Sequence, residues 1–230
     1  MDVSLKYTYL IITLISFIPW LVLYLHRKDL HREMITMSIL VAFMGLISNY
    51  FWWTEDWCRP LNITSTRIGI EDVMLGFSNG GIAAVLYEEI FKKRLYRYKG
   101  ANHKLGALLL ILILFSITAY FFHLQKLSSF VAGSIATIIA AGILIVQRRD
   151  LFYDALLTGV CLAIATIPGF LILELISPDF IEKTWLWGNL SGIRIAAVPL
   201  EDLVFYFLSG LFIAPFYLYW KGEKLRKIPK

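Results

Sequence analysis

Charge is scarce in this chain of 230 residues. Asp, Glu, Lys and Arg make up 17% of it, against roughly 25% in soluble domains. A soluble domain of this size needs more polar surface than such a composition supplies. Intrinsic disorder is excluded as well, because 58% of the residues are hydrophobic and the mean hydropathy is +0.68, whereas disordered chains are poor in apolar residues. Cysteine is nearly absent. Cys58 and Cys161 are too few for a disulfide scaffold, and with one in a loop and the other inside an apolar run they are not expected to pair. No CxxC and no Cys/His ligand spacing occurs, and His26, His31, His103 and His123 fall in loops or at the ends of apolar runs, so no metal site is expected. A GxGxxG turn between a strand and a helix is also missing, which removes the usual dinucleotide and flavin fingerprint.

What the chain does have is long apolar runs. A hydrocarbon core about 30 Å thick takes about 20 helical residues to cross. Seven stretches are long enough: Leu5–Leu25, Met34–Trp53, Ile68–Phe91, Leu105–Leu124, Ser128–Gln147, Leu151–Ile176 and Ile195–Trp220. The expected fold class is therefore an all-α integral membrane protein with seven transmembrane helices. The first run is followed, not preceded, by its basic flank Arg27-Lys28, and reads as a signal-anchor. Most of the 22 Lys and Arg lie after runs one, three and five and at the C-terminus. Basic residues accumulate on the cytoplasmic side, so the N-terminus is expected outside and the C-terminus inside. The pI near 9.1 then reflects topology and contact with anionic lipid, not nucleic acid, even though Tyr96 and Tyr98 interrupt the basic loop Lys92–Lys104. Trp52, Trp53, Trp57, Trp185, Trp187 and Trp220 sit at run ends or in outer loops, as an interfacial aromatic belt would. Asn62-Ile-Thr64 and Asn189-Leu-Ser191 fit the glycosylation sequon, a pattern too short to carry a claim.

Runs three and seven match at a constant offset. Glu71 aligns with Glu201, Asp72 with Asp202, Phe77 with Phe207, Gly80 with Gly210, Ala84 with Ala214 and Tyr87 with Tyr217, and an Arg-Ile pair precedes each (Arg67-Ile68, Arg194-Ile195). The match implies two parallel three-helix repeats, 1–99 and 127–230, related by a pseudo-twofold axis along the membrane normal. Segment 100–126, whose span Leu105–Leu124 is almost purely aliphatic, joins them as a linking helix.

The repeated Glu71-Asp72 and Glu201-Asp202 are the candidate catalytic residues. A carboxylate within a membrane costs about 2.5–3.5 kcal/mol on insertion scales and usually marks function. Two carboxyls brought to one apolar cavity cannot both be ionised cheaply, which leaves an acid and a base facing each other. A plainer reading exists beside this one: Pro199 begins a helix, the acids complement the helix dipole in its first turn, and Arg67 pairs with Glu71 at four-residue spacing. Duplication of the whole dipeptide argues against capping alone, because a cap needs one carboxylate.

The segment Pro199-Leu-Glu201-Asp202-Leu-Val-Phe205-Tyr206-Phe207 resembles the Pro-x-Glu-Glu/Asp signature, followed by aromatics, of the FAD-independent membrane lycopene cyclases. That family occurs as two small subunits or as tandem domains in one chain. The first copy here has Gly69 in place of the proline, and both pairs end in Asp. The resemblance implies a redox-neutral, proton-initiated cyclisation of a linear polyene end group, an intramolecular lyase or isomerase reaction that requires no cofactor. It implies Glu71, Asp72, Glu201 and Asp202 as proton groups. Phe77, Asn79, Phe205, Tyr206 and Phe207 are the candidate substrate-binding residues, the aromatics as cation stabilisers and Asn79 as a group that orients a carboxyl. The implied partners are lycopene or a related carotenoid, the lipid bilayer of a cell membrane, and either a second copy or other carotenoid enzymes.

Two other classes fit parts of the pattern. A sugar carrier of the SWEET type shares the three-plus-one-plus-three architecture, but it hinges on prolines that runs two and five lack. A non-catalytic carotenoid-binding subunit fits the composition equally well. A covalent retinal protein is excluded, because 198–219 holds no lysine for a Schiff base.

Overall fold

A computed structural model of the chain describes residues 3–97 and 103–227; Tyr98 and the expected boundary at 99/100 lie outside them. Each apolar run forms a helix: α1 (Val3–His26), α2 (His31–Ser48), α3 (Ile70–Ile90), α4 (Lys104–Ala119), α5 (Ser129–Gln147), α6 (Phe152–Ile176) and α8 (Leu200–Lys221), with a short α7 (Phe180–Thr184) after α6. Wide π-type turns extend α2 through Asn49–Trp53 and α4 through Tyr120–Leu124. Six of these helices are long and apolar enough to cross a membrane. The remaining long helix, α3, carries Glu71, Asp72, Asn79, Glu88 and Glu89, which lower its hydropathy.

Helix pairings follow the sequence match. The most extensive contacts are α2 with α3 and α6 with α8, and α1 lies on α3 as α5 lies on α8. The matched glycines sit where these helices approach most closely. A Cβ on Gly80 would come within 2.7 Å of the Met37 carbonyl oxygen on α2, and one on Gly210 within 2.5 Å of the Gly159 Cα on α6. Phe207 packs on Gly159, and Phe77 on Trp20 with ring centroids 5.0 Å apart. Both of these candidate substrate-binding aromatics thus take part in helix packing.

The C-terminal ends of α3 and α8 are closed alike as well. Arg27 pairs with both oxygens of Asp29 at 3.0 Å, and Arg148 pairs with those of Asp150 at 2.8 and 2.9 Å. Each arginine also reaches the carbonyl-rich C-terminal end of a helix, at Glu88 on α3 and Leu218 on α8, where a cation suits the helix dipole. The chain leaves these two helices through left-handed residues, Lys92 (φ 49°) and Gly222 (φ 66°). It then forms β1 (Lys93–Arg97) and β4 (Glu223–Lys227), which pair antiparallel with Leu95 opposite Leu225. At the opposite end Cys58 and Trp185 form an antiparallel bridge. The short strands β2 (Arg194–Ile195) and β3 (Val198–Pro199) lead into α8.

Candidate functional site

The acidic pairs occupy the first turns of α3 and α8. Gly69, extended at φ −107° and ψ 176°, caps α3, and Pro199, at φ −56° and ψ 141°, caps α8. The break at Gly69 puts Arg67 outside the helix, so it does not reach Glu71. Arg67 pairs instead with Glu55 and lies over the Tyr50 ring, while Arg194 pairs with Glu182 and lies over Trp187.

The two members of each acidic pair point different ways. Glu71 Oε1 accepts the Ile63 N–H at 2.7 Å, and Glu201 Oε1 accepts the Ser191 N–H at 2.6 Å. Each glutamate therefore ties down the outer loop that precedes its helix, with its second oxygen buried and unpartnered. Glu71 Oε2 lies 2.4 Å from where a Cβ on residue 69 would stand, beside Asn62. Glycine at 69 leaves room for that carboxyl. Asn62 itself is buried, and its amide bonds Thr66 within the loop.

The aspartates turn inward. Asp72 Oδ1 accepts from the Tyr9 hydroxyl at 2.8 Å and from Asn49 Nδ2 at 3.4 Å, and Oδ2 accepts the Gly69 N–H at 2.8 Å. The last contact is the first-turn cap of the plainer reading, so Asp72 caps its helix as well as facing the interior. Asp202 Oδ2 accepts from Trp185 Nε1 at 2.7 Å. Cys58, on the bridge with Trp185, feels both acids: burial pushes its thiol up, and the charges of Asp202 and Asp72 add to the shift.

Aromatics crowd this point. The Phe205 ring meets Trp53 at 5.1 Å and Trp57 at 5.3 Å, both edge to face, and Trp57 meets Phe130 at 5.4 Å. Tyr206 interacts with Asn79 across the α3–α8 contact. Of the candidate substrate-binding residues, Phe205, Tyr206 and Asn79 thus gather by the aspartates, whereas Phe77 and Phe207 serve packing. Trp57 and Trp185 are turned into the protein and not outward as a belt would be: Trp57 is 5% exposed and Trp185 donates to Asp202. Tyr9, one of three tyrosines in the first apolar run beside Tyr7 and Tyr24, carried no sequence signal. Glu88 is fully buried near Glu33 and Asp154 with both oxygens unpartnered, while Glu89 takes the contacts with Lys92 and Arg27.

The lycopene cyclase family model matches residues 128–220, which span α5, α6, α7 and most of α8 and include Glu201, Asp202, Phe205 and Tyr206. No curated protein and no solved structure matches the chain.

Proposed function

We propose that the chain, which matches the lycopene cyclase family model over residues 128–220, cyclises the end groups of a lycopene-type linear carotenoid within the membrane. The reaction is a redox-neutral isomerisation of the intramolecular lyase class, started by a proton from a carboxyl and ended by loss of a proton to another. The reading includes seven spans with the N-terminus outside and residues 1–99 as a second, diverged copy of the matched domain.

One observation carries it most. Asp72 from the first half and Asp202 from the second both act electrostatically on Cys58, and Trp57, which faces Asp202, meets the Phe205 ring edge to face at 5.3 Å. Acid–base chemistry on a polyene needs a proton donor, a proton acceptor and π faces near a developing cation, in surroundings that exclude water. In this reading Asp72 and Asp202 move the protons, Phe205, Tyr206 and Asn79 shape the end-group site, and Glu71 and Glu201 hold the outer loops closed over it. Support for the tandem arrangement comes from the paired elements: matched arginine clamps, matched glycine contacts and glutamates that each anchor a loop. The test is expression in a host that accumulates lycopene, followed by pigment chromatography. Monocyclic or bicyclic carotenoids are expected; lycopene left unchanged by a membrane-inserted protein would refute the proposal.

A further inference from the structure

The two aspartates are matched in sequence, yet their surroundings differ. Asp72 has donors on both oxygens: the Tyr9 hydroxyl and the Asn49 amide on Oδ1, the Gly69 N–H on Oδ2. Donors on both oxygens favour the form of a carboxyl that only accepts, the carboxylate. Asp202 completes one hydrogen bond, from Trp185 to Oδ2. The Trp57 indole faces it without completing a second. Asp202 is also more enclosed, 8% exposed, while Asp72 is only half-buried.

The asymmetry follows from the chain. On the outer bridge Trp185 stands opposite Cys58. The second half thus supplies an indole donor where the first has a thiol, and Tyr9 and Asn49 serve the first half instead. The titratable groups around Asp72 are Glu71, Tyr9 and Cys58; those around Asp202 are Glu201, Tyr206 and Cys58. None of them is cationic, so hydrogen bonding and burial decide which acid keeps a proton.

We propose that Asp202 delivers the proton that starts ring closure and Asp72 takes the proton that ends it, with Tyr9 and Trp185 as the positioning residues that hold the two carboxyls in these opposite roles. The assignment rests on the cyclase reading above. The O–H bond of Asp202 breaks as a C–H bond forms at the terminal double bond. The resulting cation is attacked by a nearby double bond, which closes the ring C–C bond beside Trp57 and Phe205. A C–H bond next to the new cation then breaks, its electron pair becomes the ring double bond, and its proton goes to Asp72. One proton passes from Asp202 to Asp72 per ring and returns through solvent at the outer face, so no oxidant or reductant enters.

The test is the pH dependence of kcat/KM for the full chain in lycopene-loaded liposomes. The profile should be bell-shaped, with the acid limb set by the base and the alkaline limb by the acid. Tyr9→Phe removes a donor from the carboxylate of Asp72 and should move the acid limb up by about one pH unit, leaving the alkaline limb in place. Trp185→Phe removes a donor to Asp202 and should move the alkaline limb up by about the same amount. Asn49→Ala, a second route to Asp72, should shift the acid limb in the same direction as Tyr9→Phe and keeps the test open should Trp185→Phe not fold. Limbs exchanged between Tyr9→Phe and Trp185→Phe would reverse the roles and overturn the assignment. Uniform losses with unmoved limbs would overturn it too, leaving the residues merely structural. A folded parent chain that makes no ring fails the cyclase reading itself, and the assignment falls with it.

Discussion

Replacing Asp202 with Asn and Glu201 with Gln, one at a time, separates a proton group from a loop anchor within a single dipeptide. Asparagine keeps the oxygen that accepts from Trp185 Nε1 but has no carboxyl proton to give. Turnover should fall by about 10²–10⁴-fold, the usual share of a positioned proton-transfer group. Glutamine at 201 keeps the oxygen that accepts the Ser191 N–H, so the anchor survives as a neutral hydrogen bond. The change there is from a charge-assisted bond worth about 1.5–3 kcal/mol to one worth about 0.5–1.5, together with about 0.3–1 kcal/mol of helix-dipole interaction. Stability should drop by about 1–2 kcal/mol and turnover by less than about tenfold. Initial rates by pigment chromatography in liposomes, alongside thermal unfolding of the purified variants, read both quantities. A folded Glu201→Gln protein as inactive as Asp202→Asn would make the glutamate a proton carrier and refute the division of labour. Asp202→Asn at the parent rate would remove Asp202 from the chemistry.

Three further outcomes test other parts of the account. Gly210→Ala places a methyl 2.5 Å from the Gly159 backbone, where nothing flexible yields, and should cost about 1–3 kcal/mol by forcing α6 and α8 apart; unchanged thermal unfolding would contradict that close approach. Glu33 is fully buried with both oxygens unpartnered beside Glu88 and Asp154, and Glu33→Leu should stabilise by about 1 kcal/mol, because an unsatisfied buried polar group costs about 1–3; a loss of stability would show that the cluster has a partner. The Cys58 thiol is raised by burial and by Asp202 and Asp72, so it stays protonated well above pH 8 and should resist maleimide in the folded protein; rapid labelling would contradict its place between the acids, since the thiolate is the reactive form.

Much of the fold was legible because long apolar runs leave a plain mark: each apolar run became a helix. A second sequence match went unread. Arg27-Lys28-Asp29-Leu30 and Arg148-Arg149-Asp150-Leu151 look like ordinary cytoplasmic loops, and only three-dimensional placement shows each arginine closing the end of a helix distant in the chain. The site was half legible. Composition and spacing pointed to the four acids, but adjacent residues on a helix face about 100° apart, and nothing in the dipeptide says which one faces the loop. Trp57 and Trp185 were indistinguishable from interfacial tryptophans, and Tyr9 from core, because hydrogen bonds such as that of Tyr9 with Asp72 join residues far apart in sequence. Arg67 was misplaced because an i, i+4 pairing presumes a continuous helix, which the extended Gly69 interrupts.

The central claim is that protons held by the protein both begin and end the cyclisation of a polyene. Purified chain in liposomes containing lycopene, incubated in D₂O and followed by mass spectrometry of the pigment, tests it most directly. The account predicts one deuterium per ring, at the carbon protonated first. Ring-ended product without deuterium, formed under conditions where carboxyl protons exchange, would contradict it.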